Sequence, residues 1–322
     1  MDEKLKEVLE KQHYRIVGNH SAVQTCRWTK KSLCDEGVCY KQKFYGIESH
    51  RCCQISPWIS CQNMCLHCWR PIELNFEKFL DKKKIDNPCE IIQDCIKQQR
   101  KLLLGFKGNK KINMKKYEEA QEPMNFAISL VGEATLYPKL GELIAELRKL
   151  GKTSFLVTNG LNPQVLKKLN NKKQMPTQLY LSLNSPNKEH YDKWHNSNEK
   201  NAWKKFNETL ELFPKLKTRK VIRMTLVKGK NMNDEMIGDY AKLIKKAMPD
   251  FIEVKGFMAV GFSRKRLKYE DMPTHEEIKE FVKKIAEELK KEGYKILDEQ
   301  EFSRVVLVGK DKKKMKIQKN QI

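Results

Sequence analysis

From about residue 50 onward, short apolar runs alternate with longer amphipathic stretches. Their length and their β-branched and aromatic content predict buried strands for the runs, and helical spacing of apolar residues predicts helices for the stretches. The predicted strands cover 52–59, 126–131, 153–158, 178–183, 220–227 and 251–258, and a predicted helix follows each of them. Successive strand–helix units predict a parallel sheet in an α/β fold, and we expect a partial (β/α)6 barrel of the TIM type. A late apolar run, "FSRVVLVG" at 302–309, either closes or extends this sheet.

Polar residues and glycines follow the predicted strands. They are Gly132 and Glu133 after the second strand, Thr158, Asn159 and Gly160 at the third, Ser182 and Asn184 at the fourth, Arg223 and Thr225 in the fifth and Gly256 in the sixth. Singly, such residues are often turn or cap residues. Together they lie on one predicted rim, the carboxyl ends of the strands, where barrels of this kind place their active sites.

The loop after the first predicted strand contains three closely spaced cysteines. In "SCQNMCLHCW" at 60–69 these are Cys61, Cys65 and Cys68. With 10 cysteines in 322 residues, this spacing should arise by chance about 0.01 times per chain. Structural zinc normally takes four ligands, and His67 could be the fourth, although one short loop would then have to supply the whole tetrahedron. Three thiolates can instead hold a [4Fe-4S] cluster that keeps one iron open to substrate.

The other cysteines and the apolar pattern suggest a cellular compartment. Eight of the ten cysteines precede residue 70. No apolar run approaches the length of a membrane span, and residues 1–14 predict an amphipathic helix without the apolar core of a signal peptide. We therefore expect a cytoplasmic protein that does not enter a membrane. In a reducing cytosol, clustered thiols are more often metal ligands than disulfides.

Net charge indicates an acidic partner. Lys and Arg number 64 and Asp and Glu 41, which leaves +23 at neutral pH. A heat-adapted surface would also be rich in charge, but its paired networks should nearly balance. Basic stretches recur at 107–116, 167–173, 215–220, 264–268 and 310–319, although the last could be a solvated tail. The excess favours nucleic acid as the partner.

The cysteine loop resembles the signature of radical S-adenosylmethionine (SAM) enzymes. The resemblance implies that Cys61, Cys65 and Cys68 hold three irons and that the open iron chelates the amino and carboxylate groups of SAM. "LVGEATLYP" at 130–138 is similar to the glycine-rich motif of that superfamily, with Val131 in place of the first glycine. The resemblance implies that Gly132 and Glu133 meet the SAM amino group through backbone atoms. It also implies SAM carboxylate and ribose contacts for three residues on the same rim, Asn159, Ser182 and Arg223.

Two longer segments resemble a narrower family. "FYGIESHRCCQISPWISCQNMCLHCWRP" at 44–71 and "GFMAVGFSRKRLKYEDMPTHEEIKEF" at 256–281 are similar to the tRNA 4-demethylwyosine synthases, in the short archaeal form without a flavodoxin domain. This resemblance implies a lyase-class enzyme that condenses N1-methylguanosine at position 37 of tRNA(Phe) with pyruvate. An external one-electron donor is then required. Two alternatives remain: another radical SAM enzyme that modifies RNA, such as a methyltransferase, and a non-catalytic zinc-binding RNA module.

The family resemblance also implies a second [4Fe-4S] cluster. Its three ligands would be Cys26, Cys39 and Cys52, while the sequence leaves Cys34 and Cys53 open as members of that set. The alternative is that these cysteines are small buried apolar residues. Cys89 and Cys95 lie in a predicted helix, and we expect both in the core.

Pyruvate needs an anchor, and a lysine or the second cluster could provide it. In "CYKQKFYG" at 39–46, Lys41 follows Cys39 by two residues. Family resemblance implies that Lys41 forms a Schiff base with the ketone; chelation of pyruvate by the second cluster and a merely solvated lysine are the alternatives. We expect an N-terminal extension at 1–50, the radical SAM barrel at 51–260, a C-terminal extension with a basic tail at 261–322, and a monomer.

Overall fold

A single mixed sheet forms the centre of the molecule. The computed structural model describes residues 3–74, 80–81 and 83–322. Its ten strands lie in the order β1-β2-β3-β4-β5-β6-β7-β8-β10-β9. The strands are β1 (Arg15–Val17), β2 (Ser21–Gln24), β3 (Cys52–Ser56), β4 (Asn125–Ile128), β5 (Thr153–Thr158), β6 (Gln178–Ser182), β7 (Arg219–Leu226), β8 (Phe251–Gly256), β9 (Lys295–Gln300) and β10 (Val305–Gly309). Strands β3 to β8 are all parallel and follow chain order, which confirms the predicted barrel-type α/β fold.

Antiparallel strands extend this parallel core on both sides. Strand β2 pairs with β3 and with β1 on one side, while β10 pairs with β8 and with β9 on the other. The late apolar run therefore extends the sheet. The short strands β1 and β2 were not predicted, because runs of three and four residues are too short to show a clear alternation.

Helices connect the strands, and all but α3 lie outside the inner face of the sheet. They are α1 (Glu3–Lys11), α2 (Arg27–Leu33), α3 (Tyr40–Tyr45), α4 (Pro88–Leu103), α5 (Met114–Glu119), α6 (Leu140–Lys149), α7 (Pro163–Asn171), α8 (Lys188–His195), α9 (Ala202–Leu212), α10 (Ile237–Ala247) and α11 (His275–Glu288). Local capping signals define where two of these helices begin. At α4 the Asn87 side chain accepts a hydrogen bond from Cys89 N, and Pro88 is the first helical residue. At α11 Thr274 forms a capping box with Glu277. No helix in the described ranges is both long enough and apolar enough to cross a membrane.

Helix α3 lies on the opposite, inner face of the sheet. Its Tyr40, Phe44 and Tyr45 form a buried cluster with side chains of the inner face, among them Phe155, Tyr180, Val221, Phe251 and Val305. These strand residues alternate with neighbours such as Leu156, Leu179 and Ile222, which pack with the large cluster under the helices. The N-terminal extension therefore fills the inside of the barrel.

The C-terminal segment closes this inner cluster. Met315 is only 4% exposed, and Ile317 N donates to Tyr45 O at 3.0 Å. The Arg219 guanidinium donates to Lys314 O at 2.9 Å and to Met315 O at 2.6 Å. The alternative of a solvated tail does not describe these residues, because the apolar side chains of Met315 and Ile317 anchor the chain between lysines.

Candidate active site

The first cysteine trio, Cys61, Cys65 and Cys68, lies in the loop that follows β3. The end of α8 holds this loop, since Met64 N donates to His195 O at 2.8 Å and Leu66 N donates to Trp194 O at 3.1 Å. Burial raises the pKa of the Cys61 and Cys65 thiols, and nearby Arg70 opposes the shift. Thiols of this kind become thiolates when a metal replaces their protons. A soft, all-sulfur donor set suits an iron–sulfur cluster.

Two histidines flank the cysteine loop in different ways. His67 stacks on Trp194 with ring centroids 5.6 Å apart, and burial, followed by the charges of Arg266 and Arg223, lowers its pKa to about 4. The side chain that reaches a cysteine is His195, whose Nδ1 lies 3.0 Å from Cys65 Sγ. Sequence analysis missed His195, because it lies 130 residues from its partner and no local motif marks it.

The segment after β8 docks on the cysteine loop. Phe262 N donates to Trp69 O at 2.9 Å, and Arg266 Nε donates to Leu66 O at 3.1 Å. Gly261 has φ +55°, and a Cβ there would lie 2.6 Å from Trp69 O, so a side chain would push the segment away from the loop. Arg266 of the basic stretch 264–268 therefore supports the cysteine loop.

The predicted SAM residues after β4 and β5 meet beside Cys61. Gly132 has φ +78°, and a Cβ there would lie 2.2 Å from Trp58 O, so only glycine permits this close approach. The buried Glu133 carboxylate accepts hydrogen bonds from Asn159 N at 2.7 Å, Thr158 Oγ1 at 2.8 Å and Thr135 Oγ1 at 2.6 Å. Glu133 thus ties the loops together with its side chain, and its backbone stays at the rim.

Asn159, Ser182 and Arg223 spread across the rim. Asn159 Nδ2 lies 3.6 Å from Cys61 Sγ, whereas Ser182 and Arg223 are register partners on β6 and β7. Burial lowers the pKa of His67 near the first trio and that of Lys41 near the second, and the charge of Arg223 adds to both shifts. Arg223 therefore acts electrostatically on residues beside both groups of cysteines.

The second cysteine trio is brought together from three elements. Cys26 and Cys39 are the N-cap residues of α2 and α3, and Cys52 begins β3. Burial and the charge of Cys26 raise the pKa of Cys39 to about 11 and that of Cys52 to about 12. Three thiols from two helix N-termini and the start of a strand also suit a cluster, since metal binding releases their protons.

The remaining cysteines are separated from this trio. Cys34 is at the opposite end of α2 from Cys26, and Cys53 points to the other face of β3, into the large core. Cys95 is buried there as expected. The expectation for Cys89 is wrong, because it is exposed in the first turn of α4.

Lys41 is buried inside the barrel. Its side chain is 7% exposed, and its Nζ lies 4.8 Å from the Phe155 ring centroid and 4.7 Å from that of Tyr180. Burial lowers the pKa of Lys41, and Arg223 lowers it further against the opposing charge of Glu253. Lys43, two residues later, is on the surface and pairs with Asp298 at 2.8 Å. The solvated-lysine alternative therefore describes Lys43 and does not describe Lys41.

Two charged residues of β8 were missed by the sequence analysis. Glu253 is fully buried and accepts hydrogen bonds from Tyr40 Oη at 3.0 Å and Tyr45 Oη at 2.6 Å. Lys255 Nζ donates to Ser303 O at 2.5 Å, and burial, followed by Arg223, lowers its pKa to about 8. The signal was present: in "FIEVKGFM" two charged residues alternate within an otherwise apolar strand, and buried charges usually have a specific role.

The parallel core, with a cysteine trio after its first strand, defines a radical SAM enzyme. A model of the radical SAM superfamily matches residues 55–244, and a model of wyosine base formation matches residues 246–310. The S-adenosyl-L-methionine-dependent tRNA 4-demethylwyosine synthase of Pyrococcus horikoshii is 47% identical over 312 residues, which cover 97% of this chain and 90% of that protein. The synthase of Methanocaldococcus jannaschii is 38% identical over 318 residues, with 97% of this chain and 98% of that protein covered. This chain therefore belongs to the tRNA 4-demethylwyosine synthase family, which confirms the resemblance.

Solved structures agree with this assignment. The structure of TYW1 with a lysine-pyruvate adduct bound has a TM-score of 0.83 and 36% identity, and the match covers 99% of both chains. The fold around the cysteine loop and the inner lysine is therefore that of this family.

Proposed function

We propose that this chain condenses N1-methylguanosine at position 37 of tRNA(Phe) with pyruvate to form 4-demethylwyosine. Family membership over 97% of the chain supports this activity. The observation that carries it is the amine of Lys41, which is buried inside the barrel beside the second cysteine trio. A similar protein is known with a lysine-pyruvate adduct. Neither a methyltransferase nor a zinc-binding RNA module would need such a lysine.

The first trio and its loops prepare SAM for reduction. Cys61, Cys65 and Cys68 would hold a [4Fe-4S] cluster that, when bound, passes one electron to SAM. The backbone of Gly132 and Glu133 would position the SAM amino group, because the Glu133 carboxylate already fixes both neighbouring loops. Asn159, Ser182 and Arg223 would contact the carboxylate and ribose of SAM from the rim. The target base must leave its stack to reach this rim.

The second trio would hold a second [4Fe-4S] cluster. We expect simultaneous Cys26→Ala, Cys39→Ala and Cys52→Ala substitution to lower iron from about eight to about four atoms per chain. SAM binding should survive and product formation should stop, because the SAM-binding loops lie on other elements. Iron and acid-labile sulfide analysis after anaerobic reconstitution measures this.

A matched control for the triple variant is available in the same part of the chain. Replacing Cys34, which lies at the other end of α2, should leave the iron content unchanged. Iron that stayed at the parental level in the triple variant would show that these three thiols are not ligands.

Lys41 would hold pyruvate as an imine. The neutral amine attacks the C2 carbonyl, the Nζ–C2 bond forms and the ketone oxygen leaves as water. Burial favours this step because it disfavours the protonated amine. The rings of Phe155 and Tyr180 beside the amine keep bulk water from hydrolysing the adduct.

Basic residues near the active-site rim would bind the tRNA. Arg264, Lys265 and Lys268 are exposed on the segment that docks on the cysteine loop. We expect tRNA affinity to fall about tenfold or more between 50 and 200 mM salt, since two phosphate contacts already release enough counterions for this. Fluorescence anisotropy with labelled tRNA measures the slope.

Charge-removal variants locate the contact. Lys265→Ala with Lys268→Ala should reduce the salt slope by about two. Lys290→Ala removes a lysine that pairs with Glu287 beyond the end of α11 and serves as the control. An affinity that does not change with salt would contradict an electrostatic tRNA surface.

The setting of the enzyme completes the proposal. We propose a cytoplasmic monomer that receives electrons from an external one-electron donor, since a reducing compartment keeps cysteine ligands available. Residues 1–50 would supply two ligands of the second cluster, 51–260 the radical SAM barrel, and 261–322 the extension that closes the barrel and supports the cysteine loop.

A further inference from the structure

Charged side chains converge on the inner face of the barrel beside Lys41. Arg223 on β7 is the register partner of Glu253 on β8, and Lys255 follows Glu253 by two residues on the same face. Glu253 accepts hydrogen bonds from Tyr40 and Tyr45, which flank Lys41 on α3, and Lys255 also lies against the Tyr40 ring. Two cations, the Lys41 amine and one carboxylate therefore share one region of the inner face with the helix that carries Cys39 at its N-cap.

The carboxylate of Glu253 is already committed to helix α3. Its two oxygens accept hydrogen bonds from Tyr40 and Tyr45. Within residues 3–74, 80–81 and 83–322, no ion pair joins Glu253 to Arg223 or Lys255, since its oxygens bond the two tyrosines and Lys255 bonds a backbone carbonyl. The charge of Lys255 therefore has no direct carboxylate partner in the part of the chain that the structure describes.

The Lys255 side chain is held in place beside helix α3. Its Nζ donates to Ser303 O at 2.5 Å and lies 5.8 Å from the ring centroid of Tyr40, the residue next to Lys41. A backbone carbonyl uses one of the three donors of an ammonium group. The others remain for a ligand.

We propose that Lys255 binds the carboxylate of pyruvate while Lys41 forms the imine at C2. This inference rests on the proposed function. A carboxylate that enters a buried space needs an ionic partner, since an unpaired buried charge is costly. In pyruvate the carboxylate is bonded directly to C2, so the amine that attacks C2 and the cation that holds the carboxylate must lie side by side.

The surroundings of the two lysines also explain why Lys41, and not Lys255, is the nucleophile. The Lys41 side-chain amine has no hydrogen-bond partner among the described residues and faces two aromatic rings, which suits a nucleophile. Lys255 is held by a carbonyl, which suits a fixed charge. The buried Lys41 and the half-buried Lys255 therefore have different roles, with Lys41 as nucleophile and Lys255 as binding residue.

Borohydride trapping with labelled pyruvate tests this inference in the reconstituted holoenzyme. We expect label on the Lys41 peptide in the parent, and a half-saturating pyruvate concentration about tenfold or more higher in Lys255→Met. Lys255→Arg, which keeps the charge, should recover most of the loss. Lys43→Met removes an exposed lysine of the same helix and should trap like the parent.

A neutral analogue separates carboxylate binding from a structural effect. Pyruvamide has the same ketone without the negative charge. The parent should prefer pyruvate over pyruvamide by about tenfold or more, and Lys255→Met should lose this preference. Equal weakening of both ligands would show that Lys255 only supports the fold, and a preference that survives in Lys255→Met would exclude it as the carboxylate partner.

Three outcomes would overturn the inference in distinguishable ways. Label on the Lys255 peptide would make Lys255 the nucleophile. An enzyme that forms product from pyruvate without a trappable adduct on either lysine would refute the imine of the proposed function and this inference with it. If label is on Lys41 but carboxylate preference is independent of Lys255, only this inference fails.

Discussion

Replacing any one of Cys61, Cys65 and Cys68 by alanine should reduce 5'-deoxyadenosine formation to the level of a protein-free control. Each thiol would be one of three ligands, and the described loop offers no substitute: His67 is stacked on Trp194 and His195 already contacts Cys65. Loss of one ligand therefore destabilises the cluster that binds SAM. Anaerobic assays with dithionite and SAM, followed by chromatography of the nucleoside product, measure the effect.

Cys89→Ala is the matched control for these variants. It replaces an exposed cysteine in the first turn of α4 that belongs to neither trio, and it should cleave SAM at the parental rate. Parental 5'-deoxyadenosine formation by any variant of the first trio would contradict the ligand assignment.

Sequence alone predicted the parallel core well. The third and sixth predicted strands match β5 at Thr153–Thr158 and β8 at Phe251–Gly256 closely. A parallel strand is buried on both faces, so its apolar run ends where the chain returns to solvent, and both ends are visible in the sequence. The cysteine loop was equally visible, because all its ligands lie within eight residues of each other.

The inner face of the barrel could not be predicted in the same way. Helix α3 has only six residues, and nothing local indicates that it packs inside the sheet. The pairing of Tyr40 and Tyr45 with Glu253 joins residues more than 200 positions apart. Such contacts depend on how the strands are arranged in the sheet, so the roles of Glu253, Lys255 and His195 appear only in three dimensions.

The position of a residue on its helix determines whether its side chain is buried or exposed, which the sequence alone did not show for two pairs of residues. Lys41 and Lys43 are both lysines near Cys39, but two residues along a helix place them on different faces. Lys41 faces the aromatic cluster, and Lys43 reaches Asp298 at the surface. The same reasoning separates buried Cys95 from exposed Cys89 on α4.

Lys41→Ala should abolish both the trapped pyruvate adduct and the tricyclic product, while SAM cleavage continues. The amine is buried between Phe155 and Tyr180, and exposed Lys43 cannot replace it because it is fixed to Asp298 and to Glu299 O. Borohydride reduction with labelled pyruvate, proteolysis and mass spectrometry would locate the label. Lys43→Ala is the control and should retain adduct and product.

The same pair of variants distinguishes the two possible anchors of pyruvate. If active parent enzyme gives no trapped label and Lys41→Ala forms product slowly, pyruvate is chelated by the second cluster and Lys41 is an electrostatic partner of the carboxylate. If Lys41→Ala forms product at the parental rate, Lys41 has no part in the reaction. Label on the Lys41 peptide that disappears in Lys41→Ala, with SAM cleavage retained, establishes the lysine as the anchor, because a structural defect would also lower SAM cleavage.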